Sequence, residues 1–487
     1  MNELALIVVP LLLAGLAFFW PQERTRPWLL PVAGGLHVAS SWWLLAFPSE
    51  SMPGAWFGFD PVARAVLPMI SLLFLVCSLY AVAYLKLRPE RHNRLFVFAL
   101  LVLLGCLSLA VQAQHLGLLW VAAEAATLMT VPLIHFNGTA RAFEASWKYL
   151  LVGGTGIALS LLGSFCLGYA SLNAGGNGDL TFHALAGQFV HLTGELASKS
   201  HPWLIAAWVL LLAGYGTKMG LAPMHTWKPD VYGEAPGMVG ALLAGGTTTM
   251  AFVAVLRVKQ VVDAAGDSEM TQRTLLAFGL FSMLVAALFL LGTPDFKRML
   301  AYSSVEHMGI LAVGAALGGL GTWAALFHVW TNSLTKGALF LSAGNIRRAA
   351  GGGNIKEVSG MAWCAPRSAR LFVTGLFAIT ACPPFGPFFS ELLVVRAAFA
   401  RHANFTAAAF LGCLLIAFFG LTRLVFAIVD GRPHAAARAT ANHFRETAGV
   451  ILPPLAFLGC SLWVGLATPA LLSQAWSAAV NLLVPPP

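Results

Sequence analysis

Four ionisable side chains stand inside otherwise apolar stretches: Glu124, Lys218, Lys336 and Glu391, with Glu306, His307 and His328 as companions. A row of acids and bases that can each hold a proton and then yield it is what a proton relay requires. Lys218 is the most costly of them. It lies in the run WLIAAWVLLLAGYGTKMGLAP, followed at once by the helix breakers Gly220 and Pro223. A lysine at bilayer depth costs roughly 2.5–3.5 kcal/mol even on a lenient insertion scale, so it is kept for an ion path or a buried partner. At an effective dielectric near 20, two unit charges about 4 Å apart interact by about 4 kcal/mol. That is enough to decide whether a site holds its proton, so the spacing of Glu124 and Lys218 could convert a charge displacement into proton transfer. The alternative is a set of static buried ion pairs that tie helices together.

Further groups extend this array. His328 and Lys336 are two helical turns apart on one face, and Glu306-His307 follow Asp295-Phe296-Lys297-Arg298 in the next run towards the N-terminus. Lys228, Asp230 and Glu234 come directly after the Gly220/Pro223 break and form either a surface network or an entry path. Lys148 sits near a helix end, where its head group can snorkel to water. Gly153-Gly154-Thr155-Gly156 has no strand before it, which argues for close helix packing and against a dinucleotide site. Asn137-Gly138-Thr139 matches a glycosylation sequon and is read as a chance match.

The elements that must position these groups follow from composition. The chain has 487 residues, of which 58% are hydrophobic and 10% charged; soluble domains carry about a quarter charged residues. It reads as an all-α polytopic membrane protein forming a single integral membrane domain over 1–487. The net charge of +9 resides in short segments between apolar runs, where it orients a chain in the bilayer, and nucleic acid is excluded as a partner. Seven cysteines are scattered, mostly inside apolar runs, without zinc or iron–sulfur spacing, and are read as small buried hydrophobes.

Runs long enough to cross a core of roughly 30 Å fall near 3–21, 28–47, 61–85, 95–113, 115–136, 143–171, 203–223, 237–256, 274–292, 299–317, 322–346, 370–400, 405–429 and 448–468. About fourteen transmembrane helices are therefore expected. The first run lacks a basic n-region and is read as a retained helix. Lys and Arg concentrate after odd-numbered runs, which places both termini on the non-cytoplasmic side of a plasma membrane, the bacterial inner membrane. The densest cytoplasmic clusters, Lys86–Arg94 and Arg347–Arg370, are candidate docking surfaces for peripheral subunits. Runs seven and twelve share a Gly/Pro interruption beside an ionisable group: Gly220/Pro223 near Lys218, and Pro383-Pro384-Phe385-Gly386-Pro387 before Glu391. Matching broken segments indicate two inverted five-helix repeats, about 95–257 and 274–430.

Four ordered blocks carry a resemblance: GYGTKMGLAPMHTWKPDVYGEAP (214–236), DFKRMLAYSSVEHMGI (295–310), HVWTNSLTKGALFL (328–341) and PPFGPFFSELL (383–393). They resemble the antiporter-like membrane subunits of respiratory complex I and of Mrp antiporters. Glu-His-Met-Gly at 306–309 looks most like component F of the hydrogenase-4 type, found in membrane-bound hydrogenase and formate hydrogenlyase complexes. The resemblance implies a cofactor-free proton-translocating module that works with other membrane and peripheral subunits, electrons flowing in those partners. It places the relay on Glu124, Lys218, Lys336 and Glu391, with His328, His307, Glu306, Thr249 and Lys228 as further candidates. H⁺ is the expected cargo and Na⁺ the alternative. The rival within this resemblance is a cation/proton antiporter subunit, or a membrane partner energising uptake of an ion such as bicarbonate. This sequence departs from the pattern where many relatives carry a lysine or histidine in the eighth helix: Thr249 stands there. Asn332 stands where a histidine is usual and Lys228 where a leucine is usual, and a further histidine is usual near Tyr232. The Thr249 departure removes one relay charge and leaves a gap between Lys218 and the centre.

Overall fold

A computed structural model describes residues 3–48, 54–190, 194–355, 358–432 and 444–484. Lys356, within the expected Arg347–Arg370 cluster, lies outside the described residues. The chain is helical along almost its whole described length. The first third comprises α1 (Ala5–Phe19), α2 (Leu29–Ala46), α3 (Pro61–Lys86), α4 (Arg94–Gln112), α5 (Leu116–Ile134) and α6 (Ala140–Asn173). Next come α7 (Phe182–Val190), α8 (Gly194–Met219), α9 (Trp227–Glu234) and α10 (Gly237–Leu242), the last running through a π turn at Leu243–Thr247 into α11 (Thr248–Ala264). The remainder is α12 (Ser268–Leu290), α13 (Phe296–Leu317), α14 (Gly319–Ala350), α15 (Met361–Cys364), α16 (Pro366–Ile379), α17 (Gly386–Ala400), α18 (Asn404–Val429), α19 (Ala448–Ala467) and α20 (Ala470–Leu483).

Among the described residues, 11 helices are long and apolar enough to cross a membrane. The other three expected crossings are helical as well but differ from a plain span. α1 is short, with 15 residues. α14 is long enough at 32 residues but carries His328, Asn332, Lys336 and two arginines. The run expected at 370–400 is split into α16 and α17. Leu and Phe side chains such as Leu12, Phe165, Phe405 and Phe419 remain exposed around the outside, an apolar belt that lipid covers.

α13 and the α10–α11 stretch are buried over nearly their whole length, so the polar groups they carry face protein. α6 and α8 approach closely through glycine: a Cβ on Gly156 would lie 2.8 Å from Thr217 Cβ. Gly153 and Gly156 are thus the packing positions of the segment 153–156, while Thr155 is exposed.

Both broken segments end the same way. At the end of α8, Gly220 takes φ +80°, its N–H reaching Thr217 O (3.1 Å) while Leu221 N–H reaches Gly216 O (2.9 Å). This left-handed closure satisfies carbonyls that a helix end leaves open. At the end of α16 the left-handed residue is Ala381, φ +54°, with Cys382 N–H on Phe377 O (2.9 Å). Protein side chains satisfy the groups that lipid would leave unpaired: Trp227 Nε1 donates to Thr217 O (2.8 Å), and Ser282 Oγ accepts from Ala222 N–H (2.9 Å). Both breaks also contain a cis X–Pro bond, Ala222–Pro223 and Pro383–Pro384.

One buried ion pair locks α11 to the start of α3. Arg257 donates to both oxygens of Asp60, at 2.8 and 3.1 Å, and Asp60 also caps α3 by accepting from Ala63 N–H at 2.8 Å. Arg257→Leu would strand a buried carboxylate and is expected to destabilise the protein by about 3–5 kcal/mol. Thermal unfolding of the detergent-solubilised chain measures this, and Asp60→Asn in the same background should recover part of the loss, since asparagine still caps the helix.

Candidate functional site

The predicted charges separate into two groups. In the first, Lys218 is buried near the end of α8. Its ammonium donates to Thr127 Oγ1 on α5 and lies 5.0 Å above the Tyr149 ring of α6. Glu124 stands one helical turn before Thr127 on the same face, with its Oε2 buried and without a hydrogen-bond partner. No ion pair within 4.0 Å joins Glu124 to Lys218 among the described residues.

The second group repeats this arrangement. Lys336, fully buried on α14, donates to Ser303 Oγ on α13 at 2.6 Å. Glu306 is one turn beyond Ser303, again with Oε2 unpartnered. Each lysine is therefore held by a hydroxyl three residues from a carboxylate, Glu124-x-x-Thr127 or Ser303-x-x-Glu306. A neutral hydroxyl accepts a hydrogen bond without fixing the proton as a carboxylate contact would. These lysines do not sit in static ion pairs.

From Lys336 the array continues into imidazoles. His307 Nδ1 and His328 Nε2 are 2.9 Å apart, their rings stacked at 5.1 Å with 16° between planes. His328 Nδ1 meets Ser390 Oγ at 2.9 Å, which orients the ring. Glu391 Oε1 lies 3.9 Å from His307 Nδ1, and neither Glu391 oxygen nor His307 Nε2 has a hydrogen-bond partner. Glu306 and Glu391 both line a 230 Å³ cavity beside the second break, together with Thr380, Ala381 and apolar residues of α18. Donor atoms of His307, His328 and Glu391 lie within 4.8 Å of one another, so the trio has the composition of a transition-metal site. Here the two ring nitrogens are engaged with each other, which places one shared proton between them.

Of the remaining candidates, Asp230 and Glu234 belong to an ion-pair network, in which Asp230 is half-buried and Glu234 buried. Asp230 pairs with Lys148 (2.9 Å) and Arg298 (2.8 Å), and Glu234 with Arg347 (3.3 Å). Lys228 points the other way and is fully buried. Thr249 is buried on α11, and no hydrogen bond among the described residues joins it to Lys218 or Lys336. Thr127, Ser303, Ser304, Ser390 and Tyr149 were not singled out from sequence, because hydroxyls in apolar helices are common and usually bond their own backbone. The two basic clusters converge: Arg88, Arg91, Arg347 and Arg348 line one 590 Å³ cavity with Lys297 and Glu90.

Comparison with known proteins identifies the family and the fold. Residues 113–417 match the family model described as NADH:quinone oxidoreductase/Mrp antiporter, TM. The chain is 33% identical over 408 residues to a hydrogenase-4 component F homolog of Methylacidiphilum infernorum, covering 82% of this chain and 84% of that one. It is 30% identical over 416 residues to NADH-quinone oxidoreductase subunit N of Desulforudis audaxviator, covering 83% and 80%. Among solved structures, it superposes on a chain of the Mrp complex of a Dietzia species with TM-score 0.84 at 22% identity, covering 99% and 98%. A chain of respiratory complex I from Thermus thermophilus gives TM-score 0.75 at 25% identity, covering 96% and 99%. With a family model spanning more than half its length and a relative at this identity, the chain belongs to the antiporter-like membrane subunits of the complex I, Mrp and hydrogenase family.

Proposed function

We propose that this chain is a proton-translocating membrane subunit of a multisubunit, energy-converting oxidoreductase of the hydrogenase-4 or NADH-quinone oxidoreductase type. The observation that carries the reading is the repeated unit of a buried lysine on a hydroxyl one turn from a carboxylate, once at Glu124/Lys218 and once at Glu306/Lys336. From the second unit the path leads through His307 and His328 to Glu391 and the cavity beside the second break. The matching left-handed closures at Gly220 and Ala381 support two inverted repeats, about 95–257 and 274–430. Against a membrane potential, each proton costs about 2.3 kcal/mol per 100 mV, so transport needs redox energy delivered by neighbouring subunits. The convergent arginines at 88, 91, 347 and 348 offer those neighbours a docking surface on the cytoplasmic side, with both termini on the opposite side.

A second reading is favoured by the likeness to the Mrp complex: a cation/proton antiporter subunit, or a membrane partner that energises uptake of an ion such as bicarbonate. Purifying the intact complex from its native membrane and identifying its subunits tests the choice. Hydrogenase or quinone-reductase subunits are expected to co-purify. Small Mrp-type subunits or a zinc-binding soluble partner would overturn the oxidoreductase assignment in favour of the second.

A further inference from the structure

The charge that the eighth helix lacks has a replacement two elements earlier. Lys228 lies on α9, just after the first break, and is 0% exposed. No carboxylate approaches its ammonium within 4.0 Å among the described residues. An unpaired ammonium buried in this way is costly to keep. It is also specifically accommodated. Gly220, at φ +80°, leaves open the space that the Lys228 stem occupies, and a Cβ there would run into Cδ and Cε. The ammonium rests 5.9 Å from the Tyr232 ring and 6.0 Å from the Trp227 ring, a weak but favourable setting for a cation.

Its position is between the two groups. Lys228 Nζ donates to Ser304 Oγ at 3.3 Å, and the adjacent Ser303 holds Lys336. On the other side, the Trp227 ring packs 5.1 Å from the Tyr149 ring, the same ring that underlies Lys218. The hydroxyls of Tyr149 and Tyr232 are both buried without a hydrogen-bond partner. Donors and acceptors therefore line the route from Lys218 past Tyr149 and Tyr232 to Lys228 and on to Ser304, whereas no hydrogen bond among the described residues joins Thr249 to Lys218 or Lys336.

We propose that Lys228 is the bridging proton carrier between Lys218 and Lys336, taking the place of the absent base at Thr249. The step balances simply. Protonated Lys218 loses one proton and becomes a neutral amine; that proton, passed along tyrosine hydroxyls or water, converts neutral Lys228 to its ammonium. Lys228 then returns to neutrality as neutral Lys336 takes the proton. Two ammoniums on neighbouring seryl hydroxyls repel, which favours onward transfer over double occupancy.

This inference rests on the proton-translocation reading, and its test separates the two. Proton uptake is measured in inverted membrane vesicles containing the assembled complex, with an acridine ΔpH dye and the complex's own electron donor. Lys228→Leu is expected to lower uptake at least about tenfold. Lys228→Arg is expected to do the same, because arginine keeps the charge but cannot release a proton; it decides the matter if the leucine variant fails to assemble. Lys228→His is expected to translocate with its pH profile displaced to the acid side, as imidazole titrates near 6.5. Wild-type uptake in Lys228→Leu or Lys228→Arg, or an unshifted profile in Lys228→His, overturns the bridge. If Lys218→Ala is inactive in the same vesicles, the wider relay survives that outcome; if Lys218→Ala is also normal, both fall.

Discussion

Lys218→Ala is expected to lower proton translocation by the assembled complex about a hundredfold or more, the scale on which a positioned proton-transfer group acts. The complex should still form. Thr127, which loses the lysine, keeps its own hydrogen bond to Ala123 O at 2.9 Å, and removing an ammonium that forms no ion pair within 4.0 Å among the described residues breaks no direct salt bridge. Glu124→Gln should behave alike. It preserves shape and a hydrogen-bonding end one turn from Thr127 but can no longer trade a proton. Dye-reported proton uptake in inverted vesicles, set beside the amount of co-purified partner subunits, measures both properties. Normal pumping in either variant with intact assembly would sink the assignment.

Glu391→Gln should be equally severe, again by about a hundredfold, for a different reason. Glu391 lies beyond the two imidazoles and lines, with Glu306, the cavity at the second break, and glutamine fits the same space without accepting or releasing a proton. The neighbouring imidazoles do not depend on it for placement, because His307 and His328 hold each other and Ser390 orients His328. Folding and assembly should therefore be unaffected. This variant also separates transport from anchoring: a subunit that merely held the complex in the bilayer would be indifferent to the change, and unaltered proton uptake would establish that role instead.

What could be read from the chain alone follows from what is expensive. A charge inside an apolar run announces itself, so Lys218, Lys336 and Glu391 were legible, and the Gly/Pro interruptions marked both breaks. Glu124 was legible on the same ground, and family likeness gave these positions their roles. The hydroxyls that hold the lysines were not legible, since Thr127 and Ser303 resemble any polar residue tolerated in a helix. Nor was the Arg257–Asp60 pair, whose members are 197 residues apart. The crossing count blurred where function loads a helix with polar groups: α14 is long enough to span yet too polar to look it. In the sequence Lys228 is a departure from the family pattern and a further relay candidate, but it stands with Asp230 and Glu234 directly after the same break. Only the turn of α9 separates them, sending the lysine to Ser304 and the acids to Arg298 and Arg347.

The adjacency of Ser303 and Ser304 on α13 has a mechanical consequence. Successive helical residues project about 100° apart, so this one helix presents a hydroxyl to Lys336 on one side and to Lys228 on another. Any slide or roll of α13 alters both contacts in a single stroke. Lys336 and Lys228 thus hang on one rigid rod, so whatever displaces the seryl contact of one displaces that of the other.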